Sequence, residues 1–161
     1  MKKLLSFTFL IVFLLPSSTL LAQTKDIENA IFTYEVKMTE EQIKAHYSEQ
    51  HKQSIIAPCT SIPREVWDIS SKGQYNFAGV ARHQNLYSNY KFKGKSSYAV
   101  VVNNYSHESL TVKTKTFWKT YHTVTVSPGH TRYFFPEIGN PNREIYLLFQ
   151  GGYRNFDGYI R

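Results

Sequence analysis

Beyond residue 74 the chain reads almost entirely in period two. Segments 97–104, 108–117, 120–126, 131–135 and 143–150 are rich in Val, Ile, Thr, Tyr and Phe, and turn residues separate several of them. Segments 74–81, 86–92 and 153–160 follow the same pattern more weakly. A series of short strands with no helix between them predicts a mainly β fold. The expected architecture is an antiparallel β-sandwich of immunoglobulin-like type, or a small barrel, preceded by one N-terminal helix. Most runs are shorter than the about 9–11 residues that a membrane-spanning strand requires. Alternation also sets the core: Val100, Val102, Val112, Val124 and Leu147 are expected to point inward. An architecture of this kind hosts adhesins, accessory modules, toxins and inhibitors, so the fold does not select a function.

The N-terminal part is different in kind. Lys2 and Lys3 precede an apolar run from Leu4 to Leu15 broken only by Ser6 and Thr8, and Pro16 to Ala22 supplies a cleavage stretch. A run this short does not match the roughly 20 residues of a spanning helix. Residues 1–22 are therefore expected to be a bacterial-type signal peptide, with a periplasmic or secreted product starting near Gln23. No Cys stands at the leader's end to carry a lipid, and no later stretch is apolar enough to span a bilayer. Residues 23–73 are expected to form an N-terminal segment with a helix over 39–52 and an irregular connector over 53–73, followed by the β domain at 74–161. The helix rests on the capping-box spacing of Thr39 and Gln42, acids in its first turn and the absence of Gly and Pro. Its apolar stripe, Ile43 and Tyr47, is too thin for a core of its own. Cys59 is the single cysteine, so it is a buried thiol, an intermolecular partner or a reactive group, and the lack of a basic neighbour in sequence favours the buried thiol.

Charge divides the chain unevenly. The formal net charge is +7. Between Gln23 and Ser70, five basic residues face eight acidic ones, whereas from Ser71 onward twelve face four, and that half also holds 18 of the 25 aromatic residues. A basic, aromatic-rich half in an exported protein implies an anionic polysaccharide, lipid headgroups or an acidic protein surface as partner.

Strand parity gives this field an address. Lys91, Lys93 and Lys95 share one face, with Tyr90 and Phe92 on the other. Likewise Lys113, Lys115, Phe117 and Lys119 oppose Leu110, Val112, Thr114, Thr116 and Trp118. If the two strands lie close, the six lysines form one basic surface with Phe117 available for stacking. Alternating lysine also keeps a half-exposed strand soluble and blocks edge pairing, and the pattern alone does not separate these roles. A second candidate surface is the C-terminal run, where Tyr153 and Tyr159 alternate with Arg154 and Arg161.

Sites for chemistry are not evident. His46 and Glu49 share a helical face, but His51 falls about 140° from His46, so one straight helix cannot present all three to a metal. There is no phosphate loop, dinucleotide fingerprint or nucleophile elbow, and nothing calls for a cofactor. Nucleic acid is disfavoured by export and by the lack of a sheet-stacking signature. The expected function is a non-catalytic binding module. A small secreted hydrolase with a loop-assembled site, or an inhibitor of another exported protein, is the alternative.

Overall fold

Each alternating run has one apolar face to hide and one polar face to leave in water, and antiparallel pairing satisfies both. The computed structural model describes residues 33–50 and 60–161. These form, in chain order, β1 (Thr33–Lys37), α1 (Glu40–Gln50), β2 (Val66–Asp68), α2 (Ile69–Lys72), β3 (Tyr75–Arg82), β4 (Leu86–Tyr87), β5 (Lys91–Lys93), β6 (Val100–Asn104), β7 (Leu110–Lys115), β8 (Thr120–Val126), β9 (His130–Phe134), β10 (Tyr146–Gln150) and β11 (Tyr153–Ile160). One sheet has the order β1-β9-β6-β11-β3 and another the order β4-β10-β7-β8, with antiparallel neighbours throughout both. The protein is mainly β, with antiparallel sheets and little helix.

Both sheets contribute to one apolar core. Val100 and Val102 of β6, Phe134 of β9 and Phe156 and Ile160 of β11 come from the five-stranded sheet. Leu110 and Val112 of β7, Val124 and Val126 of β8 and Leu147 and Phe149 of β10 come from the four-stranded one. Phe149 stacks on Phe156 at 4.3 Å between centroids, so one aromatic pair joins the sheets. Each such side chain contributes about 1.5–3 kcal/mol by leaving water. The five residues expected inside are all buried. Along β7 the alternation is complete, with Leu110, Val112 and Thr114 inward and Thr111, Lys113 and Lys115 partly exposed.

His122 is a polar member of this interior. It faces Thr114 across β7 and β8 and lies parallel to the Phe134 ring at 5.6 Å. Burial, reinforced by the positive charge of Arg132, pushes its pKa below the ordinary histidine value of 6.5. The folded protein therefore refuses a proton that the unfolded chain accepts. Stability is expected to fall as pH drops through about 6.5, and His122→Phe should flatten that part of a denaturant-midpoint profile against pH. An unchanged slope in the variant would assign the loss to other groups.

The N-terminal segment departs from expectation. β1 precedes the helix and completes the edge of the five-stranded sheet, pairing with β9 across about a hundred residues of chain. Tyr34 stacks on Tyr133 at 4.5 Å, and the Glu35 carboxylate accepts from the Ser127 backbone N–H at 2.7 Å. Helix α1 begins as its capping box requires: the Gln42 N–H donates to Thr39 Oγ1 at 3.2 Å, and the Thr39 N–H donates to Gln42 Oε1 at 2.8 Å.

The connector assigned to 53–73 also needs correction, because β2 and α2 occupy its last seven residues before Gly73. Asp68 caps α2 by accepting from the Ser70 N–H, and Gly73 ends it at φ +74°, where a side chain would be strained. β2 runs parallel to β5, the exception to antiparallel pairing among the described strands. It brings Trp67 against Tyr75 and Tyr90, at 5.2 and 5.6 Å. Cooperative aromatic packing of this kind outweighs the turn signals that flank it. The leader at 1–22, Cys59 and His51 lie outside the described residues.

Candidate binding surface

β10 runs between β7 and the β4–β5 segment, and this arrangement decides which lysines meet. Lys113 faces Leu148 and Lys115 faces Tyr146 across β10. On the other side of β10, Phe92 and Ile145 exchange two backbone hydrogen bonds of 2.6 and 2.9 Å. Phe92 and Ile145 are both buried in the core, so by parity Lys91 and Tyr146 stand on the opposite, outer face with Lys113 and Lys115. Tyr146 is nearly covered there, beside Tyr87 at 5.9 Å, and burial followed by the Tyr87 hydroxyl raises its pKa, so it remains neutral.

The six lysines differ in their partners. Lys91 Nζ is held by Glu144 at 2.8 Å, and Lys93 Nζ lies 3.8 Å from Asp68. Lys95, past the end of β5, lines a recess of about 460 Å³ with Gly73, Tyr98 and Arg161. Lys119 turns back over the Tyr121 ring at 4.6 Å. Arg143 lies near that same ring at 5.8 Å and donates to the Tyr121 hydroxyl. Among the described residues no carboxylate is within ion-pairing distance of Lys113, Lys115, Lys119 or Arg143. Lys95 shares that lack, so the four cations near the β7–β8 turn are one group among several basic side chains without an ion-pair partner among the described residues. Arg143, expected at the start of a strand over 143–150, instead precedes β10, and its hydrogen bond to Tyr121 brings it to the β7–β8 hairpin.

The tip of that hairpin carries two exposed aromatic side chains. Phe117 is 65% exposed and Trp118 90%, and their rings meet edge to face at 4.6 Å. Parity would have put Trp118 on the core side with Val112. It fails because β7 stops at Lys115: the Thr116 N–H donates to the Lys119 carbonyl at 2.8 Å, and the Lys119 N–H donates to Thr116 Oγ1 at 3.1 Å, closing a tight turn.

Tyr153 and Tyr159 lie elsewhere, on β11 of the five-stranded sheet. Tyr153 stacks on His107 at 5.5 Å and meets the Arg82 guanidinium at 5.4 Å, while Tyr159 is near Arg161 at 5.7 Å. The structure thus separates these tyrosines from the hairpin lysines, on different sheets.

A dense polar cluster fixes α1 to the outer face of the five-stranded sheet. His46 Nδ1 is 3.2 Å from Asp157 Oδ2, and its ring stacks on Tyr105 at 3.5 Å. Asp157 also accepts from Asn103 Nδ2 at 2.6 Å and from the Tyr105 hydroxyl at 3.2 Å. His46 Nε2 meets Asn155 Oδ1 at 3.1 Å, and the Tyr47 hydroxyl donates to the Tyr105 carbonyl. A His–Asp pair is the core of many proton-transfer sites, yet here both imidazole nitrogens face side-chain oxygens of the sheet. Such a pair orients the helix. Among the described residues no three His, Cys, Asp or Glu side chains converge as a metal site, and no helix is long and apolar enough to cross a membrane.

No family model, curated protein or solved structure matches the chain.

Proposed function

We propose that the two sheets form an open sandwich of immunoglobulin-like architecture, and that the chain is an exported, non-catalytic module binding an anionic or carbohydrate-like envelope or extracellular component. The observation that carries this reading is a group of four cations, Lys113, Lys115, Lys119 and Arg143, which have no carboxylate partner among the described residues and stand beside exposed Phe117. Surface lysines are usually interspersed with acids; here Glu144 and Asp68 pair with Lys91 and Lys93 and not with these four. The leader composition supports export.

Dextran sulfate and vesicles of phosphatidylcholine mixed with phosphatidylglycerol serve as probes. Binding is expected at low salt and should weaken steeply as the Debye length falls from about 10 Å at 0.1 M to about 3 Å at 1 M. The double variant Lys113→Glu, Lys115→Glu should lose about tenfold or more in affinity while its folding midpoint stays near that of the parent, since both side chains are partly exposed and surface substitutions shift stability by only about 0.5 kcal/mol. Binding that persists in high salt and in the double variant would overturn the lysine surface and move attention to Tyr153 and Tyr159 on β11.

A further inference from the structure

We propose that the β7–β8 hairpin tip is an interfacial membrane anchor, in which Phe117 and Trp118 enter an anionic lipid bilayer at the headgroup boundary while Lys115, Lys119 and Arg143 bind lipid phosphates. This deepens the binding reading above and rests on it, committing the positive surface to a lipid source.

Three observations carry the proposal. The first is shape. Phe117 and Trp118 are adjacent at the apex of a turn, their rings pack edge to face on each other, and Trp118 is 90% exposed. A soluble protein gains nothing from placing two rings, each with roughly 150–250 Å² of surface, in water at a protruding point. An exposed turn of this kind suits a soft medium that closes around it better than a small molecule that needs a concave site.

The second is chemistry. Lys115 and Lys119 flank the two rings along the chain, Lys119 lies over the ring of Tyr121, which itself packs against the core, Arg143 donates to the Tyr121 hydroxyl, and Lys113 is two residues or about 7 Å back along β7. An apolar tip flanked by cations suits a bilayer surface, with Trp favoured at the interface and Lys or Arg attracted to anionic headgroups. A sugar platform instead needs carboxylates or amides beside the ring to read hydroxyl groups. The only side-chain hydroxyl in the turn, on Thr116, is already engaged with Lys119.

The third is preorganisation. Six paired positions between β7 and β8, plus two hydrogen bonds across the turn, hold the tip before it meets a surface. Little conformational freedom remains to be lost on insertion.

The experiment uses the full chain with vesicles of phosphatidylcholine alone, or mixed with phosphatidylglycerol, with or without lipids brominated on the acyl chain. Mixed vesicles should shift the tryptophan emission to shorter wavelength, and brominated lipid should quench it. Trp67 is half-buried and bonded to the Gly73 carbonyl, so both signals should vanish in Trp118→Ala. Phe117→Ala, Trp118→Ala together should reduce partitioning by roughly 10- to 100-fold without changing the folding midpoint. If the double alanine variant partitions like the parent while Lys113→Glu, Lys115→Glu does not, the anchor is wrong and the electrostatic reading stands. Binding to dextran sulfate with none to mixed vesicles would likewise overturn the anchor and leave the electrostatic reading in place. If neither probe binds, both readings fall.

Discussion

Asn104→Asp should be among the most damaging single-atom exchanges in this protein, costing on the order of 3–5 kcal/mol at neutral pH. The Asn104 side chain is fully buried at the end of β6, and its Nδ2 donates to the carbonyls of Glu108, Val126 and Ser127 at 2.8, 3.0 and 3.2 Å. Its Oδ1 accepts from the Ser106 N–H and hydroxyl, at 3.1 and 2.6 Å. One amide thus ties β6 of the five-stranded sheet to the end of β8 in the four-stranded sheet and shapes the loop between β6 and β7. An aspartate puts an oxygen, and at neutral pH a charge, against three carbonyl oxygens. Its folded pKa must rise above the ordinary carboxylate value, so the variant regains stability, relative to the parent, as pH falls toward the unfolded value near 4. Urea titrations of parent and variant at pH 7 and pH 4.5 measure this directly. A gap between the two proteins that does not narrow at the lower pH would mean that the site takes up water and tolerates the charge. Asn104→Ala, which removes the donor without adding charge, should cost about 3 kcal/mol at either pH, because buried carbonyls are left without partners.

Gly158→Ala should also destabilise strongly, by about 3 kcal/mol or more. Gly158 is in the middle of β11, paired with Phe77 on one side and Val102 on the other. A Cβ built there would lie 2.0 Å from the Val101 carbonyl oxygen and 3.0 Å from two atoms of the Phe77 ring. The ring could turn aside, but the carbonyl belongs to the backbone of β6, so the ladder itself would have to move. That distinction can be tested. Phe77→Leu, Gly158→Ala should remain no more stable than the sum of the two single changes, because the dominant clash is untouched. Recovery of stability in the double variant would place the conflict in the ring instead.

The strands of the β domain were legible because their cause is local. Side chains alternate along an extended backbone whatever lies beside it, so Val100, Val102, Val112, Val124 and Leu147 could be assigned to the interior from residue type and spacing. The capping box of α1 was legible for the same reason, since Thr39 and Gln42 need only each other. The Tyr153–Ile160 and Thr120–Val126 strands were legible to the residue.

What tertiary structure alone decided was every relation between distant segments. β1 is five residues with two of them half in water, Tyr34 and Val36, and it becomes a strand only because β9 offers an open edge. β2 owes its conformation to Phe92 and Tyr90, more than twenty residues away. The lysines show the division most plainly. Parity put Lys91 with Lys93, and Lys113 with Lys115, on polar strand faces, but the folded chain set the two strands on either side of β10, supplied Glu144 to Lys91 and Asp68 to Lys93, and brought Arg143 to the hairpin from outside β10. Period determines which way a side chain points; charge pairing depends on which segment arrives next to it, and that is settled by the packing of two sheets on one core.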